Sequence, residues 1–232
     1  MKFRVGIDNN NEGIRSIAWL LEHPGCYAYG ENEQAAFVNS TQAIRDYVKW
    51  INQHESAWIV LDETFEPQVE QVWTDYAINK EFDRVEKDGY DVESFFEHDW
   101  KPLTETDIER GLKLLAWSHA DLMKVLGKLT PEQWAIKKEG ERRDVAGIVK
   151  HIGDAEWWYL DRLGLAYPRT EVPKDPIERL NKVRKLLNEL LPTFKDSKQV
   201  IGMDGEFWSP RKILRRAVWH ERDHTEHIQK LL

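Results

Sequence analysis

Three histidines recur near the end of the sequence at a spacing that could build a metal site. His220, His224 and His227 follow one another at steps of four and three residues, which places them on one face of a helix. That face is otherwise apolar, and imidazoles on adjacent turns of a buried stripe are unusual in a protein core. Neutral imidazoles four residues apart can converge on one cation. The pattern therefore predicts a metal site, and a hydrogen-bonded core is the alternative.

The same segment contains a literal H-E-x-x-H motif, in which Glu221 would act as the base of a metallohydrolase. Eight residues follow His224 in the sequence, fewer than the longer metalloprotease motifs span. One histidine pair is also a short pattern. A metallohydrolase is therefore a minor alternative.

Other residues near this segment are candidates for supporting roles. Asp154 and Asp223 carry carboxylates that could accept hydrogen bonds from the imidazole rings. Arg216 lies one turn before His220 on the same stripe, where it could meet the carboxylate of a bound thiol or substrate. Ordinary ion pairs are the alternative for all three. Three neutral nitrogen ligands would leave a divalent ion with open positions, as in catalytic sites.

Amphipathic helices must position these side chains. Thr104, Asp144 and Ser209 are typical N-cap residues, each placed before a run with helical apolar spacing. His151 lies on the inward stripe of the second helix. The predicted helices span residues 104–129, 144–163, 176–191 and 209–232. Four such helices joined by loops predict an all-α four-helix bundle.

The first hundred residues predict an α+β domain of the order β-β-α-β. Short apolar segments predict strands over residues 2–7, 14–21 and 57–61, and helical spacing predicts a helix over residues 32–53. Residues 24–30 are interpreted as an irregular segment, and residues 66–100 support no clear assignment. Lys101-Pro102 is taken as the boundary between domains 1–100 and 101–232.

Composition limits the classes of function. Residues 1–100 carry 8 Lys and Arg against 20 Asp and Glu, whereas residues 101–232 carry 25 against 21. This balance disfavours nucleic-acid binding, and the acidic first domain could contact a protein partner. No apolar run approaches the roughly 20 residues of a membrane span. The single cysteine and the absence of an apolar signal core at the amino terminus predict a cytoplasmic protein.

Two segments, KHIGDAEWWYLDRL and VWHERDHTEHIQKL, resemble the DinB-like superfamily of metal-binding four-helix bundles. The resemblance covers about residues 104–232. It implies that His151, His220 and His224 are the three metal ligands. His227 falls where the family commonly has glutamine, and it is a candidate for a supporting role beside them. It also implies a divalent ion (Zn, Ni or Fe), a small thiol and S-transferase-type chemistry.

Residues 1–65 resemble the small HicB-like domain of antitoxin proteins, on the segment PGCYAYG followed by a helix beginning ENEQAAF. The DNA-binding module often appended to that domain is not recognisable. Two hypotheses follow. The leading one is a metal-dependent, thiol-assisted transferase acting on a small molecule; the other is a non-enzymatic metal-binding or sensor protein that uses the HicB-like domain for partner binding. A homodimer is expected in addition.

Overall fold

The computed structural model describes residues 1–11, 13–55, 58–61, 64–86 and 88–232. These residues form two compact units. The first comprises Met1–Lys101 and Gly202–Trp208, and the second comprises Pro102–Ile201 and Ser209–Leu232. The chain leaves the first unit at residue 101 and returns to it for the short segment 202–208. The sequence predicted a boundary near residue 101 but not this return.

The first unit is built on a mixed sheet with one long helix. β1 (Lys2–Asn11) pairs antiparallel with β2 (Arg15–Leu20), which pairs antiparallel with β3 (Tyr27–Gly30). After α1 (Glu33–His54), β4 (Glu66–Thr74) lies parallel to β1 and completes the order β3-β2-β1-β4. A parallel pair requires a crossover connection, and α1 supplies it.

The sequence predictions for the first unit are confirmed in part. The strands over residues 2–7 and 14–21 and the helix over residues 32–53 are present. Within the segment 24–30, residues 27–30 were wrongly predicted as irregular, because they form β3, which pairs with β2. Of the predicted strand 57–61, residues 58–61 form no strand and residue 57 lies outside the described residues. The strand after α1 is β4 instead.

The rest of the first unit consists of short strands. β5 (Tyr76–Ile78) lies between β6 (Arg84–Val85) and β7 (Tyr90–Val92). Tyr90 donates a hydrogen bond of 2.7 Å to Glu206. Gly205, with φ of +82°, sits so close to β5 that a Cβ there would lie 2.2 Å from Ile78 Cδ1. Only glycine combines that backbone angle with that approach, so the returning segment rests against β5.

The second unit is helical. Its residues are all described, and four of its helices exceed ten residues: α2 (Glu105–Leu126), α4 (Val145–Asp161), α5 (Pro176–Leu190) and α6 (Pro210–Leu231), with the short α3 (Pro131–Trp134) after α2. One hairpin, β8 (Ile201–Met203) and β9 (Glu206–Trp208), precedes α6 and carries the segment that belongs to the first unit. α4 packs against both α5 and α6, and α2 packs against α6.

The predicted helix starts are confirmed. Each predicted N-cap side chain accepts a backbone amide hydrogen in the first turn of its helix: Thr104 from Asp107, Asp144 from Gly147 and Ser209 from Lys212. Each cap is worth about 1 kcal/mol. No helix in the described part of the chain is long and apolar enough to cross a bilayer.

An apolar core joins these helices. Its buried members are Leu122, Leu126, Val145, Ile148, Val149, Ile152, Leu180, Ile228 and Leu231. Full burial of one such side chain contributes about 1.5–3 kcal/mol. The core therefore fixes α4 and α6 side by side, and these two helices carry the histidines singled out by the sequence.

Candidate metal centre

The structure brings His151, His220 and His224 together. His151 lies in the middle of α4, and the other two lie one turn apart on α6. The Nε2 atom of His220 is 3.3 Å from that of His151 and 3.1 Å from that of His224. Within the described residues, they are the sole group of three or more histidine, cysteine or acidic side chains whose ligand atoms lie within 4.8 Å of one another.

These distances fit a shared metal ion. Imidazole nitrogens bind zinc at about 2.0–2.1 Å, so two of them on one ion at tetrahedral or octahedral angles lie roughly 2.8–3.4 Å apart. Both measured separations fall in that range. His220 is buried, whereas His151 and His224 are half-buried, so an ion held here keeps an approach from solvent.

The electrostatics of the site keep the rings ready to act as ligands. Burial lowers the pKa of His151 to about 4, and the positive charges of Arg143 and Arg142 add to this, against the opposing charge of Asp154. Burial also holds the pKa of His220 well below its usual value. Neutral imidazoles retain a lone pair, so the rings bind a cation without first losing a proton.

The predicted supporting carboxylates have different surroundings. Asp154 forms an ion pair with Arg179 of α5, so its contacts do not support the predicted role of orienting a ring. The Nδ1 atom of His220 is buried without a hydrogen-bond partner. Asp223 is half-buried on α6, and its orienting role stays a prediction.

His227 lies outside the trio. Its Nε2 atom is 3.1 Å from a carboxylate oxygen of Glu141, and its ring centre is 6.0 Å from that of His224. The partner Glu141 belongs to the connection before α4. His227 therefore contacts an acidic side chain, at the edge of the site.

Arg216 is buried beside His220. Its guanidinium lies 5.5 Å from the ring centre of Tyr159 and 5.1 Å from that of Trp219. Its charge is one of the influences that lower the pKa of His220, after burial and the neighbouring imidazoles. Arg216 thus lies close enough to affect the trio, and its predicted contact with a substrate carboxylate stays a prediction.

Glu221 faces away from the trio, which argues against the H-E-x-x-H interpretation. One of its carboxylate oxygens accepts a 3.0 Å hydrogen bond from Arg184, and the other lies 3.1 Å from His119 Nδ1. Despite burial, the charge of Arg184 and the hydrogen bond from His119 hold the pKa of Glu221 below its usual value. A general base must reach the reacting water, and Glu221 is engaged elsewhere.

Arg184 is the centre of a buried network that the sequence analysis missed. From α5 it donates to Glu156 of α4, to Glu221 of α6 and, over 2.8 Å, to the carbonyl of Leu115 in α2. Burial raises the pKa of Glu156, against the attraction of Arg184. The sequence pattern that could have predicted this network is a charged residue on an otherwise apolar helix face, such as Arg184 between Leu180 and Leu187.

The comparisons with known proteins agree with this site. Residues 114–228 match the family model of the DinB superfamily. That range includes all three histidines, so the match and the trio together support a metal-binding, DinB-like protein. It does not reach residues 1–65, and the HicB-like interpretation gains no support from it. Neither a curated protein nor a solved structure matches the chain.

Proposed function

We propose that the protein is a DinB-like enzyme that uses one divalent transition ion, held by His151, His220 and His224, for thiol-dependent S-transferase chemistry. The observation that carries this is the convergence of three Nε2 atoms at 3.1 and 3.3 Å. In this proposal the four long helices form the four-helix bundle of that family. The match over residues 114–228 supports the assignment.

The ligand set favours catalysis over a closed structural site. Closed zinc sites use four protein ligands and often cysteine, whereas catalytic sites keep an open position. When bound, a divalent ion of this kind (Zn, Ni or Fe) would coordinate a small thiol and lower its pKa. Imidazole ligands suit all three metals, so the donor set selects none of them.

The chain's own residues hold and shield the site. α4 and α6 fix the three rings by their packing, and the ring of Tyr159 lies 6.3 Å and that of Trp219 5.6 Å from the His220 ring, between centres. Aromatic walls exclude water from one side and strengthen electrostatic interactions at the centre. Arg216, whose guanidinium lies over both aromatic rings, is the proposed contact for a substrate carboxylate.

A second candidate is a non-enzymatic metal-binding or sensor protein. It is favoured by the acidic excess of residues 1–100, 20 acidic against 8 basic residues, which suits contact with a protein partner. In either case we propose a cytoplasmic homodimer without nucleic-acid or membrane binding. The HicB-like interpretation of residues 1–65 belongs to this second candidate.

One experiment separates the candidates. The purified protein, loaded with Zn, Ni or Fe in turn, is assayed for consumption of small thiols with a panel of electrophiles, alongside the His151→Ala variant. We expect about one ion per chain in elemental analysis and thiol consumption that the variant lacks. Metal uptake with no turnover across the panel would favour the sensor, and a wild type that takes up none of the ions would contradict both candidates.

A further inference from the structure

We propose that a groove on the first unit binds an arginine side chain of a partner protein. The groove has a volume of about 430 Å³. The residues that line it include Ile78, Lys80, Phe82, Asp88, Tyr90 and Asp204. All of them belong to the first unit, so metal binding plays no part in the proposed contact.

Phe82 is unusual in both its exposure and its backbone. It is 62% exposed, although phenylalanine is among the residues most often buried. Its φ of +65° lies in the left-handed region, which a bulky residue rarely adopts. Strained backbone of this kind is concentrated at functional positions such as ligand clamps. Phe82 therefore marks the groove as a binding surface.

The turn that carries Phe82 is held in place by hydrogen bonds. The side-chain oxygen of Asn79 accepts from the backbone amides of Glu81 and Asp83, both at 2.9 Å, and its carbonyl accepts from the amide of Phe82 at 3.1 Å. A Cβ at Gly205 would lie 3.3 Å from Cδ1 of Phe82, so the ring also rests against the β8–β9 hairpin. A ring that is ordered before binding lowers the entropy lost when a ligand binds.

The lining combines apolar surface with negative charge. Ile78, Phe82 and Tyr90 supply the apolar part, and the carboxylates of Asp88 and Asp204 lie beside them. The hydroxyl of Tyr90 donates to the carboxylate of Glu206, which is 1% exposed. These three carboxylates outnumber the one basic side chain of the lining, Lys80. This combination suits a side chain with an apolar stem and a cationic end.

Arginine fits this lining better than lysine. Its planar guanidinium stacks on aromatic rings and pairs with carboxylates through two hydrogen bonds. The first unit already contains such contacts: the guanidinium carbon of Arg15 lies 3.9 Å from the ring centre of Tyr29, and that of Arg84 lies 4.0 Å from the ring centre of Tyr76. The acidic excess of residues 1–100, 20 acidic against 8 basic residues, also attracts a basic partner.

The test uses the full chain without added metal. The pentapeptide acetyl-Gly-Ala-Arg-Ala-Gly-amide is titrated against its citrulline counterpart, in which a neutral urea replaces the guanidinium. Heteronuclear NMR measures both affinities and shows which backbone amides respond. We expect the arginine peptide to bind about tenfold more tightly, with responses at Phe82 and Tyr90.

Three variants test the charges. Asp88→Asn and Asp204→Asn each remove one carboxylate, and asparagine tolerates the φ angles of +57° and +53° found there. Each should weaken binding of the arginine peptide about two- to fivefold. Asp196→Asn is the matched control, because Asp196 is exposed, has a φ of +56° and lies in the second unit. It should leave the affinity unchanged.

Phe82→Asn tests the ring. Asparagine adopts left-handed backbone more readily than phenylalanine, so urea unfolding should show equal or higher stability. Binding of the arginine peptide should nevertheless weaken by about fivefold or more. A marked loss of stability would show that the ring serves the fold and would overturn the proposal.

Other results would also overturn it. They are no binding of the arginine peptide up to about 10 mM, equal affinity for the citrulline peptide, unchanged affinity in both groove Asp→Asn variants, or an equal loss in Asp196→Asn. Self-association of the wild type that Phe82→Asn abolishes would assign the groove to a second copy of the chain instead. Each of these results leaves the proposed metal centre untouched, because no metal takes part in the measurement.

Discussion

Two polar clusters lie on neighbouring residues of α6, and they differ in how their charges are compensated. His220 faces His151 and His224, three imidazole rings with no carboxylate among them. Glu221, the next residue, faces Arg184 and His119, which satisfy it with hydrogen bonds. We call the first the histidine trio and the second the Arg184 network. His220 and Glu221 are both buried, so burial alone does not mark a binding site.

This difference distinguishes a binding site from a network that stabilises the fold. The Arg184 network ties together α2, α4, α5 and α6 through one guanidinium, and its groups are already paired. The histidine trio brings three nitrogens together where a cation would satisfy all of them. The trio should therefore govern metal binding, and the network should govern stability.

The largest expected effect comes from breaking the Arg184 network. Arg184→Met leaves two carboxylates, Glu156 and Glu221, buried without their cation, and should lower the free energy of unfolding by about 3–5 kcal/mol. Urea unfolding of the metal-free protein measures it. Lys185→Met is the control, since that side chain is 78% exposed. A loss below about 1 kcal/mol would show that the Arg184 network does not stabilise the fold as proposed.

Replacing all three charged groups at once sharpens this result. Glu156→Leu, Arg184→Met and Glu221→Leu together leave no buried charge unpaired, so most of the lost stability should return. If the triple variant does not regain stability, packing around these side chains, rather than the pairing of their charges, determines the stability lost in Arg184→Met.

The next effect concerns the histidine trio. His151→Ala removes the ligand supplied by α4 and leaves the pair on α6. Loss of a residue that only hydrogen-bonds to a ligand typically lowers metal affinity by about 10- to 100-fold. Loss of a ligand itself should therefore lower it by more than about 100-fold. Competition with a chelator measures it, and His54→Ala, an exposed residue at the end of α1, is the control. Unchanged affinity in His151→Ala would exclude this ligand set.

A pH dependence should appear in the metal-free protein. The pKa values of His151, about 4, and of His220 are depressed in the folded state, against about 6.5 when unfolded. The unfolded chain therefore binds more protons below pH 6.5, so stability is present above that value and is lost as pH falls toward 4, by at most about 1.4 kcal/mol per pH unit for each ring. Urea unfolding from pH 7 to 4.5 measures it.

The double variant His151→Leu, His220→Leu tests the origin of that loss. It removes both rings with depressed pKa values and should flatten the stability profile between pH 6.5 and 4.5. An equally steep profile would assign the acid sensitivity to other groups.

The trio was predictable because helical spacing is local information. Two histidines four residues apart must share a face, and the N-caps Asp144 and Ser209 fixed where the two helices begin. The pairing of α4 with α6 was not local, and it followed from the family resemblance rather than from spacing.

Other features depend on contacts that spacing does not encode. β4 pairs with β1 across more than fifty residues, and its side chains are mostly exposed, so it lacks the alternation of a buried strand. The segment at Gly205 and Glu206 contacts the first unit through a close approach to Ile78 and a hydrogen bond from Tyr90. Arg184 lies on an apolar stripe, and only its distant partners explain why a charge is tolerated there.

The smallest effect should come from His227. Its Nε2 atom contacts Glu141, and both side chains are about one-third exposed, so the pair should contribute less than about 1 kcal/mol to stability. His227→Ala should weaken metal binding by less than about tenfold, well short of the loss in His151→Ala. Glu141→Gln, which keeps the shape of the partner but removes its charge, should change affinity no more than His227→Ala. The same chelator competition measures all three variants. If His227→Ala matched or exceeded the loss in His151→Ala, the ligand set would have to include His227, and the boundary drawn here between the trio and its neighbour on α6 would be wrong.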